Sequence, residues 1–174
     1  MNRRNFLAHT LNGAGALLMA PAVVSAASII APAVSTGPAD IYQHSFTDLN
    51  GTDTPFSAWL GKPVVLNFWA TWCPPCVKEM PDLDALHKKH TGVSFIGLAI
   101  DTSANVRKFL AKVPVSYPLL VAGHGGIDLM RSLGNSRGGL PFTVVFDAGG
   151  VPLGQILGVV HPEELDAFVV NMQL

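Results

Sequence analysis

The sequence has few charged residues and no basic run. Charged side chains make up 13% of its 174 residues, and the formal net charge is −1. A nucleic-acid-binding surface requires clustered lysines and arginines, so the composition argues against a nucleic-acid partner. The sequence also lacks an internal repeat, and its length fits one domain, or one domain preceded by a leader.

A second absence is an apolar run long enough to cross a bilayer, although 49% of the residues are hydrophobic. The apolar N-terminal stretch, residues 11–20, contains two glycines and is shorter than the roughly 20 residues that a membrane-spanning helix needs. Arg3 and Arg4 precede it, and small residues at 24–26 follow it. This order is typical of an export signal, and we predict cleavage after Ala26. The mature protein then has 9 basic and 12 acidic residues, a charge of about −3.

The start of this leader also resembles a twin-arginine signal, which directs export of folded proteins. The matching residues are Arg3-Arg4-Asn5-Phe6-Leu7, while Asn2 and Ala8 depart from the usual pattern. An ordinary secretion signal with two arginines is the alternative. Both routes take the protein out of the cytoplasm, and we expect a periplasmic location.

The remaining chain divides into a linker and a single domain. Residues 27–40 are rich in Pro, Ala and Ser and are interpreted as the linker. Residues 41–174 form the domain, where hydrophobic periodicity and turn residues predict an alternation of strands and helices. The predicted elements are a hairpin at Asn50-Gly51, strands at 63–70, 93–100, 117–121, 142–147 and 151–158, and helices at 74–90, 103–112, 127–133 and from Pro162 onward. This order indicates an α/β layered sheet with a mixed edge.

Only two cysteines are present, Cys73 and Cys76, and both residues between them are proline. They could form a working redox pair, half of a metal site, or a structural clip. Outside the cytoplasm, thiols tend to form disulfides. A disulfide between positions three apart closes a very small loop and removes little entropy from the unfolded chain. The spacing therefore argues against a structural clip.

The metal alternative uses Cys73, Cys76, His87 and His90, whose spacing superficially resembles a zinc finger. All four lie on one predicted helix, and at ~1.5 Å per residue His87 is roughly 16 Å along the axis from Cys76. Zinc ligands lie within ~2.0–2.3 Å of one ion. We therefore expect no metal site and no cofactor, with His87 and His90 as solvated residues of the last helical turns.

The predicted position of Cys73 favours redox chemistry. It begins a helix that follows a buried strand, where free backbone N–H groups and the helix dipole lower the pKa of a thiol. Cys76 is one turn further on, close enough to attack a disulfide that Cys73 has formed with a substrate. We predict that Cys73 is the exposed nucleophile and Cys76 the sheltered resolving thiol, with Trp69 and Trp72 as apolar surface around the sulfurs.

Residues 64–81, VVLNFWATWCPPCVKEMP, resemble the thioredoxin superfamily and, within it, the exported TlpA-like thiol–disulfide reductases. Gly139-Leu140-Pro141 is similar to the family loop that ends in a cis-proline opposite the cysteines, and residues 103–133 are similar to the insertion of this branch. Phe142 departs from the pattern, because Thr frequently follows the cis-proline. The resemblance extends from Tyr42 to the C-terminus and implies a thioredoxin-like fold with an N-terminal β-hairpin and a central strand–helix insertion.

This resemblance implies an exported, monomeric thiol–disulfide oxidoreductase. Its expected substrates are disulfide-bearing proteins, either apocytochrome c or a copper-site protein, and its expected electron donor is a membrane thiol-relay protein. We expect the reductase direction. The resemblance further implies a substrate surface beside Cys73 and Cys76, formed by Trp72, Pro74, Pro75 and Leu140, with Pro141 as a member of the catalytic site.

A carboxylate is expected to complete the site. Ordinary thioredoxins have a buried Asp near the resolving cysteine, but that strand position is Asn67 here, as is usual in the TlpA-like branch. Glu79 follows Cys76 by three residues on the same predicted helix, so the two side chains share a face. We predict that Glu79 is partly buried, has a raised pKa and accepts the proton of Cys76. The alternative is a solvated glutamate near a helix N-terminus.

Two other functions use the same fold. Peroxiredoxin-like peroxidases typically place their reactive cysteine in a Thr-x-x-Cys setting, which differs from the Trp-Cys-x-x-Cys pattern here. Copper carriers usually space their cysteines C-x3-C and add a distant histidine. His161 is available for that role, but the cysteine spacing is C-x2-C.

Overall fold

The computed structural model describes residues 37–172, so the predicted export signal and most of the predicted linker lie outside the described residues. The strands are β1 (Ser45–Asp48), β2 (Asp53–Pro55), β3 (Val64–Trp69), β4 (Ser94–Ala99), β5 (Leu119–Val121), β6 (Phe142–Phe146) and β7 (Pro152–Leu157). The α-helices are α1 (Pro74–Lys89), α2 (Ser103–Leu110), α3 (Gly126–Ser132) and α4 (Pro162–Met172), with short 3-10 helices at Asp40–Gln43, Phe56–Trp59 and Gly123–Gly125.

The seven strands form one mixed sheet in the order β2-β1-β5-β4-β3-β6-β7. β3, β4 and β5 are parallel neighbours, and the other pairs are antiparallel. The predicted hairpin at Asn50-Gly51 is confirmed as β1–β2, with Gly51 at φ 88° in its turn. The predicted fold class, a thioredoxin-like α/β sheet with an N-terminal hairpin and an inserted strand–helix segment, is correct.

The interior strand β3 is buried along its whole length because side chains cover both faces of the sheet. Val64, Leu66 and Phe68 pack into one core cluster, which also contains Phe56 and Phe142. The alternate residues face the opposite side, where a second cluster gathers apolar residues of α1 and α4. Its members from β3, α1 and α4 include Val65, Trp69, Met80, Leu83, Leu165 and Val169. Because side chains alternate along a strand, Asn67 faces the α1 side of the sheet.

Helix α1 begins at the cysteines and continues without a break through Pro81. Cys73 is its N-cap residue, and the prolines that follow occupy its first positions, where a missing backbone N–H does not matter. The helix length and position agree with the sequence-based prediction of 74–90.

The end of α1 differs from the prediction, because His90 is not solvated. It is 6% exposed, and its Nε2 lies 2.6 Å from Asp166 Oδ1 on α4. Lys89 Nζ lies 2.7 Å from the other oxygen of the same carboxylate. His87 is half-buried, with its ring 6.0 Å from that of Phe95. The prediction of solvated histidines is wrong because α4 and β4 cover this part of α1.

Across residues 37–172, no helix has both the length and the hydropathy needed to cross a membrane.

Candidate active site

Cys73 and Cys76 are joined by a disulfide, with an S–S distance of 2.03 Å and a Cα–Cα distance of 5.3 Å. Cys73 Sγ also accepts a hydrogen bond of 3.3 Å from the backbone N–H of Cys76, within the first turn of α1. The sulfur therefore receives one of the free N–H groups at the helix start, as the sequence predicted. Cys73 is 5% exposed and Cys76 is fully buried. The predicted order of exposure holds, but Cys73 is less open than expected because it packs into the same core cluster as Cys76.

Exposed residues flank this disulfide. Trp72, directly before Cys73, is 62% exposed, and Pro74 and Pro75 are also exposed. The predicted cis peptide bond between Leu140 and Pro141 is confirmed. Leu140 is half-buried and packs against the cluster that contains both cysteines.

The cis-proline loop is attached to the end of β7. The carbonyl oxygen of Pro141 accepts a hydrogen bond of 2.9 Å from the backbone N–H of Gly158. The side-chain amide of Asn135 donates a hydrogen bond of 2.7 Å to the carbonyl oxygen of Gly139. The first hydrogen bond fixes the loop relative to the sheet, and the second is a local bond that holds the loop before Leu140.

Asp101 holds the segment that precedes the cysteines, and the sequence analysis did not identify it. Its Oδ2 accepts hydrogen bonds from the backbone N–H and the hydroxyl of Thr71, at 3.1 and 2.5 Å. Its Oδ1 accepts from the backbone N–H of Thr102 and the side chain of Asn105, at 2.7 and 2.8 Å. Burial raises the pKa of the carboxyl, but these hydrogen bonds outweigh burial and lower it. A charged Asp101 thus links the approach to Cys73 with the start of α2.

Glu79 is buried at 1% exposure, one turn after Cys76 on α1. Its Oε1 accepts a hydrogen bond of 2.8 Å from Asn67 Nδ2, and its Oε2 accepts one of 2.8 Å from the backbone N–H of Val160. Burial raises its pKa to about 7 and the charge of Asp82 adds to that effect, whereas the two hydrogen bonds oppose it. The predicted burial and raised pKa are confirmed, and the solvated alternative is wrong. The proton-accepting role stays a prediction.

Asn67 connects Glu79 to strand β6. Its Nδ2 donates a second hydrogen bond, 3.0 Å long, to Thr143 Oγ1. Asn67 is 2% exposed and Thr143 is fully buried, and the two residues are direct partners in the β3–β6 pairing. Thr143 was missed from sequence, although a lone polar residue in the apolar run FTVVF was a usable signal. Val160 left no signal because it contributes only a backbone N–H.

In the part of the chain that the structure describes, no group of three or more His, Cys, Asp or Glu residues is arranged to hold a metal ion. Cys73 and Cys76 are bonded to each other, and His90 pairs with Asp166 at the far end of α1. The zinc-finger-like spacing in the sequence therefore does not correspond to a cluster of ligands.

A dithiol–disulfide pair at the N-terminus of the helix after a central strand, together with a cis-proline loop, defines a thioredoxin-like thiol–disulfide oxidoreductase. The chain belongs to the Redoxin family, whose model matches residues 26–168. Within the thioredoxin superfamily it is a member of the TlpA-like group.

Named relatives agree with this assignment. The chain is 36% identical over 126 residues to the thiol-disulfide oxidoreductase ResA of Bacillus thuringiensis (strain Al Hakam), covering 71% of this chain and 70% of that protein. The structure of MTB dsbF in its mixed oxidized and reduced forms has a TM-score of 0.68 and 31% identity, covering 79% of this chain and 99% of that one. A secreted Mycobacterium tuberculosis disulfide oxidoreductase, homologous to E. coli DsbE, has a TM-score of 0.63 and 25% identity, covering 76% and 98%. The protein is thus a thiol–disulfide oxidoreductase of the ResA/DsbE type. This assignment favours disulfide exchange as its activity over the peroxidase and copper-carrier alternatives.

Proposed function

We propose that this protein is an exported reductase of protein disulfides. The observation that carries the proposal is the disulfide between Cys73 and Cys76 at the start of α1, with the buried Glu79 one turn behind it. The expected substrates are disulfide-bearing proteins of cytochrome c maturation or copper-site assembly. The protein acts as a monomer, without a cofactor, and a membrane thiol-relay protein supplies its electrons.

Catalysis starts from the reduced dithiol. The Cys73 thiolate, stabilised by the N-terminal backbone amides of α1, attacks one sulfur of the substrate disulfide. A mixed disulfide forms, and the other substrate sulfur leaves as a thiolate that takes a proton from water. Cys76 then loses its proton to Glu79 and attacks Cys73 Sγ. This forms the Cys73–Cys76 disulfide, breaks the mixed disulfide and releases the second substrate sulfur as a thiolate, so that two electrons have passed to the substrate. That thiolate takes a proton from water, and Glu79 returns the proton of Cys76 to the solvent.

Glu79 is suited to the second step because it can exist in both protonation states near neutral pH. Cys76 is fully buried, and burial in apolar surroundings raises the pKa of a thiol and disfavours its ionisation. A carboxylate with a pKa of about 7 can take up that proton, directly or through one water molecule. Asn67 and the backbone N–H of Val160 hold its two oxygens in place during the transfer.

The substrate contacts the exposed residues around Cys73. Trp72 offers an exposed apolar side chain, and Pro74 and Pro75 add exposed surface at the start of α1 beside Cys73. On the other side, the cis bond before Pro141 turns the backbone of Leu140 toward an extended substrate segment. These four residues bind the substrate, and Pro141 positions the loop.

A redox titration against glutathione tests the direction of electron transfer. A reductase requires a potential near the ~−270 mV of thioredoxin, whereas a value near ~−120 mV would identify an oxidant. The Cys76→Ser variant is the matched control, because it retains the nucleophile but cannot form the internal disulfide. A potential in the oxidant range would reject the reductase proposal and leave the thiol–disulfide oxidoreductase assignment intact.

Export is proposed from residues 1–26, followed by the linker 27–40 and the domain 41–174. The similarity to a mycobacterial disulfide oxidoreductase that is secreted supports a non-cytoplasmic location. Replacing Arg3 and Arg4 by lysine tests the twin-arginine route, because that pathway requires the arginine pair. We expect loss of processing and accumulation of the precursor. Undiminished export would favour the ordinary secretion signal.

A further inference from the structure

Several buried side-chain atoms in residues 37–172 have no hydrogen-bond partner, and one of them, Asn67 Oδ1, belongs to a residue that is hydrogen-bonded to Glu79. Both donor hydrogens of the same amide are used, one on Glu79 Oε1 and one on Thr143 Oγ1. Leaving a buried acceptor unpaired costs about 1–3 kcal/mol. The two hydrogen bonds that Asn67 Nδ2 donates therefore favour the present orientation of the amide, in spite of the unpaired oxygen.

This orientation matches ionised Glu79. Both carboxylate oxygens accept hydrogen bonds, one from Asn67 Nδ2 and one from the backbone N–H of Val160. A protonated Glu79 carries an O–H group, which needs an acceptor. The backbone N–H of Val160 can only donate a hydrogen bond, and the Asn67 side chain presents its donor nitrogen to Glu79. The network as it stands therefore fits one protonation state only.

A half turn of the Asn67 amide reverses this match. Oδ1 would then occupy the place of Nδ2 and accept the hydrogen bond of a protonated Glu79. An asparagine side chain is able to do this because its two ends differ in hydrogen-bonding character but hardly in shape. An ionised aspartate at this position could only accept hydrogen bonds, and a leucine could neither donate nor accept them.

The Thr143 hydroxyl suits both orientations of the amide. It accepts a hydrogen bond from Asn67 Nδ2 in the structure, and a hydroxyl can also donate. After the half turn, the same hydroxyl would donate to Asn67 Oδ1. Thr143 is fully buried in β6 directly opposite Asn67 in β3, so its position relative to the amide is fixed by the sheet.

We propose that Asn67 and Thr143 are positioning residues. They keep Glu79 hydrogen-bonded to the Asn67 amide in both protonation states of the carboxyl group. The amide turns over when Glu79 is protonated, and the Thr143 hydroxyl reverses its hydrogen bond. This inference rests on the proposed role of Glu79 as the proton acceptor of Cys76.

Few other ionisable groups act on this site. Asp82, on the same helix, raises the pKa of Glu79 by its charge. Tyr117 lies in the segment before β5. Burial first, and then the charges of Glu79 and Asp84, raise its pKa, so it stays neutral at physiological pH. β3 and β6 contribute Asn67 and Thr143, which do not titrate, and the β7–α4 connection contributes the backbone of Val160. In the oxidised protein Cys73 and Cys76 do not titrate either.

The test is a carbon-13 NMR titration of the Glu79 carboxyl in oxidised protein, comparing wild type with Thr143→Val and Thr143→Ser. Valine has nearly the shape of threonine but leaves one Asn67 N–H unpaired when Glu79 is ionised. The protonated state of Glu79 is less affected. In the turned amide, Asn67 Oδ1 loses the Thr143 hydroxyl but still accepts a hydrogen bond from Glu79. We expect the pKa of Glu79 to rise by about one unit in the valine variant, the size of one lost neutral hydrogen bond. Serine should restore the wild-type titration.

A second measurement needs no substitution. The nitrogen-15 signal of the Asn67 side chain, and its proximity to the Thr143 methyl group, should change with the same midpoint as the Glu79 titration. Identical Glu79 titrations in wild type and folded Thr143→Val would overturn the inference. An Asn67 signal that does not change as Glu79 titrates in wild type would also overturn it, and this result does not depend on how the valine variant folds.

Failure of the proposed function can be recognised separately. The Glu79 titration could shift in Thr143→Val while the release of a mixed disulfide by Cys76 keeps its pH dependence. In that case Asn67 and Thr143 do position Glu79, and the conclusion that Glu79 accepts the proton of Cys76 is wrong.

Discussion

Asn67 Nδ2 lies 2.8 Å from Glu79 Oε1 and donates a hydrogen bond to it, joining the interior strand β3 to the helix that begins at the two cysteines. The strand contributes a neutral amide and the helix contributes the acid, one turn after Cys76. Burial raises the pKa of Glu79, and hydrogen bonds from Asn67 and Val160 limit the rise, so the group titrates at about 7. The acid is thereby suited to exchange a proton near neutral pH.

The raised pKa of Glu79 predicts a pH-dependent stability. The carboxyl titrates at about 7 in the folded protein against 4.5 for its ordinary value. The stability it contributes is therefore complete below pH 4.5 and is lost as the pH rises through 7. Because one pKa unit corresponds to 1.36 kcal/mol, the loss is at most about 3 kcal/mol. In Glu79→Gln this dependence should disappear.

Guanidinium unfolding of the oxidised protein at several pH values measures this effect. The free energy of unfolding of wild type should fall relative to Glu79→Gln between pH 5 and pH 8. Glu164→Gln is the control, because Glu164 is exposed in the first turn of α4 and should leave the wild-type pH dependence unchanged. Parallel curves for wild type and Glu79→Gln would show that Glu79 titrates as an ordinary carboxylate.

Cys73 should react first with a limiting amount of iodoacetamide near pH 6. In the reduced protein its sulfur lies at the N-terminus of α1, where the backbone amides favour the thiolate, whereas Cys76 is fully buried. Peptide mapping should find the label on Cys73, at the same rate in the Cys76→Ser control. Preferential labelling of Cys76 would reverse the assigned roles.

Trp72→Ala should slow the capture of a protein substrate without destabilising the fold. The side chain is 62% exposed, so its removal should change the free energy of unfolding by no more than about 0.5 kcal/mol. Loss of its apolar contact with a protein substrate should cost about tenfold in the second-order rate constant, equivalent to about 1.4 kcal/mol. A small-molecule disulfide should react at close to the wild-type rate.

The matched control for Trp72 is Leu60→Ala, which removes a 43% exposed apolar side chain beside Gly150. Stopped-flow measurements with protein and small-molecule disulfides separate a lost contact with the protein substrate from a change in the reactivity of Cys73. Equal rates for wild type and Trp72→Ala with a protein substrate would remove Trp72 from the substrate surface.

Asp84 should stabilise the fold at neutral pH but not at very low pH. Its carboxylate accepts hydrogen bonds from Lys88 Nζ at 2.5 Å and from the backbone N–H and hydroxyl of Ser116, both at 2.6 Å. Burial opposes ionisation, but these hydrogen bonds outweigh it and lower the pKa to about 2. The stabilisation is therefore present above the ordinary pKa of 3.8 and is lost as the pH falls through 2.

Asp84→Asn should lower the free energy of unfolding at pH 7 by about 1–3 kcal/mol, the cost of disrupting a buried polar group. The difference from wild type should narrow toward pH 2. Asp53→Asn, at an exposed position in the hairpin, is the control in denaturant unfolding. If the difference in the free energy of unfolding between wild type and Asp84→Asn does not depend on pH, the Asp84 charge is not the cause of the stabilisation.

The sequence was sufficient to predict the elements that hold the cysteines. The apolar run at residues 64–69 predicted β3, and the two prolines after Cys73 predicted where α1 begins, because both signals are local. His90 was misjudged because Asp166, its partner, is 76 residues away and reaches it only through the packing of α4 on α1. Thr143 is likewise 76 residues from Asn67. Such contacts depend on strand order and helix packing, which local periodicity does not determine.

The central claim is that Glu79 accepts the proton of Cys76 so that Cys76 can release the mixed disulfide. Quenched-flow trapping of reduced Glu79→Gln with a disulfide-bearing protein tests it most directly, with Glu164→Gln as the control. Formation of the mixed disulfide by Cys73 should keep its wild-type rate. Its release should slow by about 10²-fold, the low end of general-base effects, so that the mixed disulfide accumulates. Wild-type release without accumulation would contradict the mechanism.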